Sequence, residues 1–249
     1  MSPVDGAAVD AGGVAIVSAF FGLDNALPRV VELICPGGGG RDGMPVTFSR
    51  RVVGTPASSS FRVVTRSGAR REPACATLSP ATGATERHTV LLGGDLGEDA
   101  SDPPVRVEVS GPLMTEGGDA RGIVASVVPL SMGPSLVLAL RYASIAGSAC
   151  PASTLQVVQV TWNGGVTAAG GGDVGDMQRR RIHITLARAG GAEEVTPASL
   201  ADLGDNDNYL HLCLDTAETP LSVRVEAGTF VDPRNDPNAE TQVAVTPGS

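Results

Sequence analysis

The chain has 249 residues, a net charge of −9 and a hydrophobic fraction of 42 %, with only 3 % aromatic residues. An acidic chain lacks the basic footprint that neutralises phosphates, so nucleic acid and anionic membranes are excluded as expected partners. All of its basic residues are arginines, which excludes reactions that need a lysine amine, such as Schiff-base formation or P-loop phosphate binding.

The first half of the chain shows short β-strand patterns separated by turn residues. Alternation is clear at 105–109, where three valines share one face of an extended strand. The apolar segment 14–22 follows Asp5 and Asp10, where a secretory signal needs cationic residues, so we predict a strand there. The predicted strands of this half are 14–21, 29–34, 45–53, 61–66, 74–78, 87–92 and 105–109.

The second half follows the same plan after a linker predicted at 112–121. In the strand predicted at 208–214, three leucines face a core while Tyr209, His211 and Cys213 point the other way. No window of 18 apolar residues occurs, so no membrane span is predicted. The predicted elements are strands at 122–128, 136–142, 155–162, 180–187, 208–214, 221–226 and 241–245, with one helical turn at 197–203.

Five short patterns recur in the same order at an offset of roughly 114–121 residues. An offset of this size fits a duplicated small domain, and it is too long for a solenoid unit. The matching pairs are Cys35-Pro36 with Cys150-Pro151, 46–48 with 160–162, 61–65 with 182–185, 79–81 with 196–198, and 105–108 with 223–226. We therefore predict an all-β protein of two tandem, internally duplicated β-sandwiches, with domains at 1–111 and 122–249.

The layout resembles immunoglobulin-like and fibronectin-type-III sandwiches, since short strands alternate with turns every 8–12 residues. The Cys…Trp…Cys arrangement typical of immunoglobulin domains is incomplete. Trp162 lies between Cys150 and Cys213, whereas the first repeat has Phe48 at the matching position. The resemblance therefore implies a layout and no particular activity.

The four cysteines fall two per repeat, as Cys35 with Cys75 and Cys150 with Cys213. One disulfide within each repeat would stabilise it by about 4 kcal/mol. The alternative is four buried thiols in a reducing compartment. The sequence shows no signal peptide, but cysteine pairs that can form disulfides leave secretion possible, and the compartment is unknown.

Two acidic loops of the second repeat are candidate Ca²⁺ ligands. Carboxylate and amide oxygens in a flexible, glycine-containing loop are the ligands that Ca²⁺ prefers. The alternative is a turn in which the Asp and Asn side chains cap their own backbone. The candidate metal ligands are Asp202, Asp205 and Asp207 of the first loop, and Asp232 and Asp236 of the second.

Three polar residues of the second repeat are candidates for acid–base chemistry. His183 and His211 both project from the polar faces of predicted strands, and Tyr209 shares a face with His211. If the two strands are neighbours, these side chains converge with Asp205 or Asp207 as a metal site or an acid–base pair. The alternative is two unrelated surface imidazoles.

Two classes of function follow from these patterns. The first is a non-enzymatic binding or structural module with Ca²⁺ as candidate cofactor, a protein or small-molecule ligand, and a monomeric or homodimeric state. The second is an acid–base or metal-assisted hydrolase, lyase or isomerase with its site in the second repeat or in a groove between the repeats. The sequence favours the first, because it lacks the Gly-x-Ser-x-Gly nucleophile elbow and any phosphate-binding glycine loop.

Overall fold

The computed structural model describes residues 13–81, 83–204 and 207–248. Its regular structure is almost entirely β, in several mainly antiparallel sheets, as the alternating pattern predicted. The chain divides into two compact units, with the boundary between Met132 and Gly133. In the part of the chain described, no helix is long and apolar enough to cross a membrane.

The first unit consists of short strands and two 3₁₀ turns, Arg29–Leu33 and Ser58–Ser60. Its described strands are β1 (Ile16–Ala19), β2 (Asp42–Phe48), β3 (Phe61–Thr65), β4 (Arg70–Arg71), β5 (Cys75–Thr77), β6 (Thr89–Gly94), β7 (Pro104–Val109), β8 (Met114–Thr115), β9 (Gly118–Asp119) and β10 (Val124–Ser126).

Two sheets of the first unit, ordered β1-β2-β6-β5 and β10-β7-β3-β4, enclose one hydrophobic core. The core is mostly aliphatic because aromatic residues are scarce. Its main aromatic contact joins the two sheets, with the ring centroids of Phe48 on β2 and Phe61 on β3 separated by 6.5 Å. Strands β8 and β9 form a separate hairpin.

The second unit adds a short helix and one 3₁₀ turn to a similar set of strands. The helix α1 spans Asp176–Arg179, and the 3₁₀ turn spans Ala169–Gly171. The described strands are β11 (Leu136–Tyr142), β12 (Gln156–Trp162), β13 (Ile182–Arg188), β14 (Gly191–Val195), β15 (Ser199–Ala201), β16 (Tyr209–Leu214), β17 (Thr219–Val225), β18 (Thr241–Ala244) and β19 (Thr246–Pro247).

The sheets of the second unit have the orders β15-β16-β12-β11-β19 and β14-β13-β17-β18. Leu210, Leu212 and Leu214 of β16 pack in the core between them, as predicted. The ring centroids of Trp162 and Phe230 lie 4.9 Å apart in the same core. The core of this unit is thus also mainly aliphatic, with one aromatic pair.

The two units share strand order, pairing register and bulge positions. In chain order, strands β1–β7 and β10 of the first unit correspond to β11–β17 and β18 of the second. With this correspondence both units have the same two strand orders, apart from the added β19. Both β1–β2 and β11–β12 carry a register shift at the same point, after Ile16 and after Leu136. A second shared shift follows Val64 on β3 and the matching Thr185 on β13. A bulge is an inserted residue, so its recurrence at matching positions is a specific similarity.

The shared register corrects part of the sequence alignment. The β3–β7 pair opposes Val63 to Val107, and the β13–β17 pair opposes Ile184 to Val223. Val107 therefore matches Val223, which moves the tetrapeptide match of 105–108 with 223–226 by two residues. A shift of two residues preserves the side-chain alternation, which is why the sequence pattern alone could not detect it.

Both predicted disulfides are present, Cys35–Cys75 and Cys150–Cys213, with Cα–Cα distances of 5.3 and 5.7 Å. Their second cysteines occupy opposite members of one matching strand pair. Cys75 on β5 opposes Gly93 on β6, whereas Cys213 on β16 opposes Ser199 on β15. Gly93 of the first unit thus occupies the position of Cys213, and Ser199 of the second unit occupies the position of Cys75.

Segment 112–121, predicted as a linker, belongs to the first unit. It supplies the β8–β9 hairpin, and Leu113 and Ala120 lie in the core of that unit. Segment 122–128, predicted as the first strand of the second repeat, provides β10, which pairs with β7. The glycine-rich composition of 112–121 indicated a break in regular structure but did not distinguish a hairpin from a linker.

Two short elements also differ from the prediction. Segment 29–34 contains a 3₁₀ turn with no buried residue in place of a strand, and Leu33 is 84 % exposed. Segment 197–203, predicted as a helical turn, contains β15, which pairs with β16. In both cases the local composition was compatible with either structure, and only segment 197–203 has a neighbouring strand with which it pairs.

We predict that the disulfide of the first unit can be moved across the β5–β6 pair to the position used in the second. A Cβ atom built on Gly93 lies 2.8 Å from Sγ of Cys35, so a cysteine side chain there starts directly beside its partner. In the double variant Cys75→Ser/Gly93→Cys, Cys35 is expected to form a disulfide with the cysteine introduced at position 93. Peptide mapping under non-reducing conditions identifies the linked peptides.

The matched control is Cys75→Ser alone, which leaves a free thiol at Cys35. It is expected to lose about 4 kcal/mol of unfolding free energy, the value for a closed loop of about 40 residues. The double variant should recover a large part of that loss. A free Cys35 thiol in the folded double variant would show that the two disulfide positions are not equivalent.

Candidate functional site

His211 is buried on the outer side of β16, where the connection between β11 and β12 covers it. Tyr209 and His211 are each 2 % exposed, although both point away from the core that contains the leucines. The disulfide of Cys150 and the hydroxyl of Ser148 hold this connection against the strand. The alternation predicted for β16 is therefore present, but both of its faces are buried.

The imidazole of His211 is held from both ring nitrogens. The amide nitrogen of Gln159 lies 3.0 Å from Nε2, and Oγ of Ser148 lies 3.0 Å from Nδ1. Each ring nitrogen thus has a polar partner, and which of the two carries the proton depends on the tautomer.

An acidic side chain also lies beside His211, but it is not one of the two predicted to do so. Oδ2 of Asp202 is 3.5 Å from Nε2 of His211. Asp205 lies outside the described residues. Oδ1 of Asp207 accepts a hydrogen bond from the backbone of Tyr209 at 2.7 Å. Asp207 therefore closes a turn at the start of β16, as in the alternative of a self-capping loop.

His183 lies on the outer face of the other sheet, within a row of ion pairs. Its Nε2 is 2.7 Å from Oε1 of Glu226, and its Nδ1 is 3.3 Å from Oε1 of Glu194. Arg181 binds Glu226, and Arg224 bridges Glu194 and Glu240. The hydrogen bond from His183, followed by that from Arg181, lowers the pKa of Glu226 below its ordinary value of 4.5. Each carboxylate in the row thus has a cationic partner.

The predicted convergence of His183, Tyr209 and His211 does not occur. β13 and β16 belong to different sheets of the second unit. Each histidine is flanked in sequence by residues that pack in the core between those sheets, so the two imidazoles project from opposite outer faces. Packed sheets are about 10 Å apart, whereas proton transfer needs a contact of about 3 Å or one bridging water.

The second predicted acidic loop is ordered around Asp232. Oδ1 of Asp232 accepts hydrogen bonds from the backbone nitrogens of Arg234 and Asp236, both at 2.9 Å. The carboxylate of Asp236 lies 3.6 Å from Nε of Arg234. Among the described residues, Asp207, Asp232 and Asp236 join no group of three acidic, His or Cys ligand atoms within 4.8 Å. The candidate Ca²⁺ ligands that the structure describes therefore do not meet at a single site.

Asp232 differs from the other loop acids because it is buried, at 1 % exposure. Its second oxygen, Oδ2, is enclosed and has no hydrogen-bond partner among the described residues. Burial raises the pKa of Asp232, with a smaller contribution from the nearby charge of Asp236. A carboxylate oxygen in this state is available to a proton or a cation.

Two residues that hold His211 were not identified in the sequence. Gln159 interrupts the apolar run of β12 and directly opposes His211 in the register. A polar residue inside a fully buried strand is a detectable signal, because it needs a buried partner. Ser148 lies in an irregular connection and gave no comparable signal.

Comparison with protein-family models, with curated proteins and with solved structures returns no match for this chain.

The ion pairs around Glu226 predict an acid-dependent part of the stability of the second unit. A carboxyl whose pKa is lowered in the folded state contributes stability above its unfolded pKa and loses it as the pH falls through the folded value. We expect the stability difference between the wild type and Glu226→Gln to be largest at neutral pH and to shrink below pH 4.5. Urea unfolding across this pH range measures it.

The matched control is Asp215→Asn, since Asp215 is an exposed acid of the same unit. Its stability difference from the wild type should stay small and show no comparable change over the same range. A Glu226→Gln difference that is constant with pH would contradict the ion-pair assignment.

Proposed function

We propose that the protein is a non-enzymatic binding or structural module made of two immunoglobulin-like sandwiches that arose by duplication. In immunoglobulin nomenclature, the strand orders β1-β2-β6-β5 and β10-β7-β3-β4 correspond to A-B-E-D and G-F-C-C′. The same orders recur in the second unit with the same bulges. Independent origin of eight strands with matching register and irregularities is improbable, which supports duplication.

The observation that carries the non-enzymatic proposal is the use of reactive side chains in structural contacts. All four cysteines are in disulfides. His88 is buried against the carbonyl of Phe48, His211 is enclosed by Gln159 and Ser148, and His183 lies in an ion-pair row. With no lysine in the sequence, the usual nucleophiles and general bases are largely accounted for by the fold.

The disulfides also favour a place of action. Such bonds persist in oxidising compartments and are rare where thiol reductants are abundant. Each one links two segments of a small sandwich whose core contains few aromatic side chains. We therefore infer that the module functions outside the reducing cytosol.

The module proposal predicts that neither histidine candidate supports turnover. Purified wild type, His183→Gln and Ser148→Ala should hydrolyse a panel of p-nitrophenyl esters and phosphates at the same background rate. Ser148→Ala removes the hydroxyl that contacts His211, and His183→Gln removes the partly buried imidazole of the ion-pair row. A wild-type rate above that of either variant, with unchanged melting curves, would favour the acid–base enzyme instead.

Ca²⁺ remains a proposed cofactor, and the buried oxygen of Asp232 is the observation that favours it. Oxygen ligands from one loop and its backbone suit the irregular coordination of Ca²⁺. The same oxygen would otherwise need a proton, since an unpartnered buried charge is unfavourable. The candidate ligand is therefore Asp232, with the loop 232–238 supplying further oxygens.

Melting curves with Ca²⁺ and with chelator test this assignment. Ligand binding to the folded state raises stability, by about 2.7 kcal/mol at a free concentration of 100 times Kd. We expect Ca²⁺ to raise the Tm of the wild type and of Asp173→Asn, which changes an exposed acid of the same unit. Asp232→Asn should lose the response. A wild-type Tm that is the same in Ca²⁺ and in chelator would exclude the cofactor.

A further inference from the structure

The outer face of the sheet β10-β7-β3-β4 carries a group of arginines in an otherwise acidic chain. In its register, Val64 on β3 lies between Arg70 on β4 and Arg106 on β7, and Arg62 lies two residues along β3 on the same face. Neighbouring strands are about 4.8 Å apart, and residues i and i+2 about 6.6 Å. The three arginines, defined here as the arginine face, therefore surround Val64, and their backbones are about 8–10 Å from one another.

Two of these three guanidinium groups have no anionic partner among the described residues. Arg106 pairs with Glu108, which opposes Arg62 across the β3–β7 pair. Among the described residues, no side-chain hydrogen bond or ion pair engages Arg62 or Arg70. Glu72 follows Arg70 and Arg71 directly, yet it has no ion pair with Arg62 in the described part of the chain. The guanidinium groups of Arg62 and Arg70 are thus available to an external anion.

The matching face of the second unit provides an internal comparison. There the register places His183 at the position of Arg62, Glu194 at that of Arg70, and Arg224 at that of Glu108. These side chains neutralise one another in the ion-pair row described above. One fold therefore carries a closed charge network on one copy of the face and an open one on the other.

An apolar residue lies at the centre of the arginine face. Val64 is 7 % exposed although it points outward. Arginine stems can pack along apolar surface while the guanidinium group stays in water. The face therefore offers its arginines an apolar surface, and a stem packed on it loses less side-chain entropy when its guanidinium group binds.

We propose that the arginine face binds an extended acidic polypeptide segment. Guanidinium groups form bidentate, charge-assisted hydrogen bonds with carboxylates. Alternate side chains of an extended peptide are about 7 Å apart, and the long arginine and glutamate side chains can bridge the difference from the spacing of the face. Only one Trp and two Tyr are present in the chain, so stacking on sugars or bases contributes little to this face.

This proposal rests on the proposed function as a binding module and names its partner. The test is fluorescence anisotropy of a labelled peptide of about ten residues that alternates Glu and Thr, titrated with the full chain. We expect saturable binding that weakens as salt shortens the Debye length from about 30 Å at 0.01 M to about 10 Å at 0.1 M. A peptide that alternates Gln and Thr should not bind.

The decisive variant is Arg62→Gln/Arg70→Gln/Arg106→Gln, which should weaken binding by about tenfold or more. Its matched control, Arg29→Gln/Arg41→Gln/Arg50→Gln, removes the same charge from exposed positions elsewhere in the first unit and should bind nearly as well. Melting curves of both variants should coincide with that of the wild type, since all six positions are at the surface or partly exposed.

Three outcomes would overturn the proposal. The first is equal weakening in both triple variants, which would indicate a net-charge effect. The second is tighter binding of heparin or single-stranded DNA than of the acidic peptide. The third is absence of peptide binding at low salt. None of these changes the turnover comparison that tests the module itself, so the two failures are distinguishable.

Discussion

Each unit is organised by one disulfide that starts in the connection between its first two strands, β1–β2 or β11–β12. The disulfide ends on the β5–β6 pair in the first unit and on the β15–β16 pair in the second. In the first unit the link reaches Cys75, and the two sulfurs occupy the space in front of Gly93, where any side chain would collide with them. In the second it reaches Cys213, and Ser199 faces the sulfur from the neighbouring strand. A sandwich whose core is mainly aliphatic gains much from such a link, because it restricts the unfolded chain without needing more buried area.

The link also determines what the outer face of each sheet can contain. In the second unit the connection that carries Cys150 covers His211 and Gln159, which oppose each other in the register. The matching pair in the first unit is Leu91 with Pro45. A buried polar pair is tolerated only when both partners are hydrogen-bonded, and Ser148 on the covering connection supplies part of that requirement. The histidine, its glutamine and the covering connection are therefore one structural unit.

Side-chain periodicity was enough to predict the class of fold and the core face of β16, and the two cysteines in each half indicated the disulfides as one of two alternatives. It could not predict which strands share a sheet, because alternation constrains one strand at a time. That gap explains why His183 and His211 were expected to converge and instead lie on opposite faces. It also explains why the tetrapeptide at 105–108 was aligned two residues away from its structural counterpart, since a shift of two residues leaves the alternation unchanged. The 3₁₀ turn at Arg29–Leu33 was missed because its valines and leucine also suit a strand.

Once strand order is known, the comparison between the units carries more functional information than any single motif. Positions that keep the same residue type, such as Val63 and Ile184, serve the core, and positions that change charge sign, such as Arg70 and Glu194, lie on the outer face. Substitutions in the core change packing and are constrained by volume, whereas an outer face can change charge at little expense to stability. Under the proposed duplication, divergence is therefore expected to concentrate on the outer faces. The contrast between an internally paired row on one face and unpaired guanidinium groups on the other is the form of divergence that the proposed acidic partner predicts.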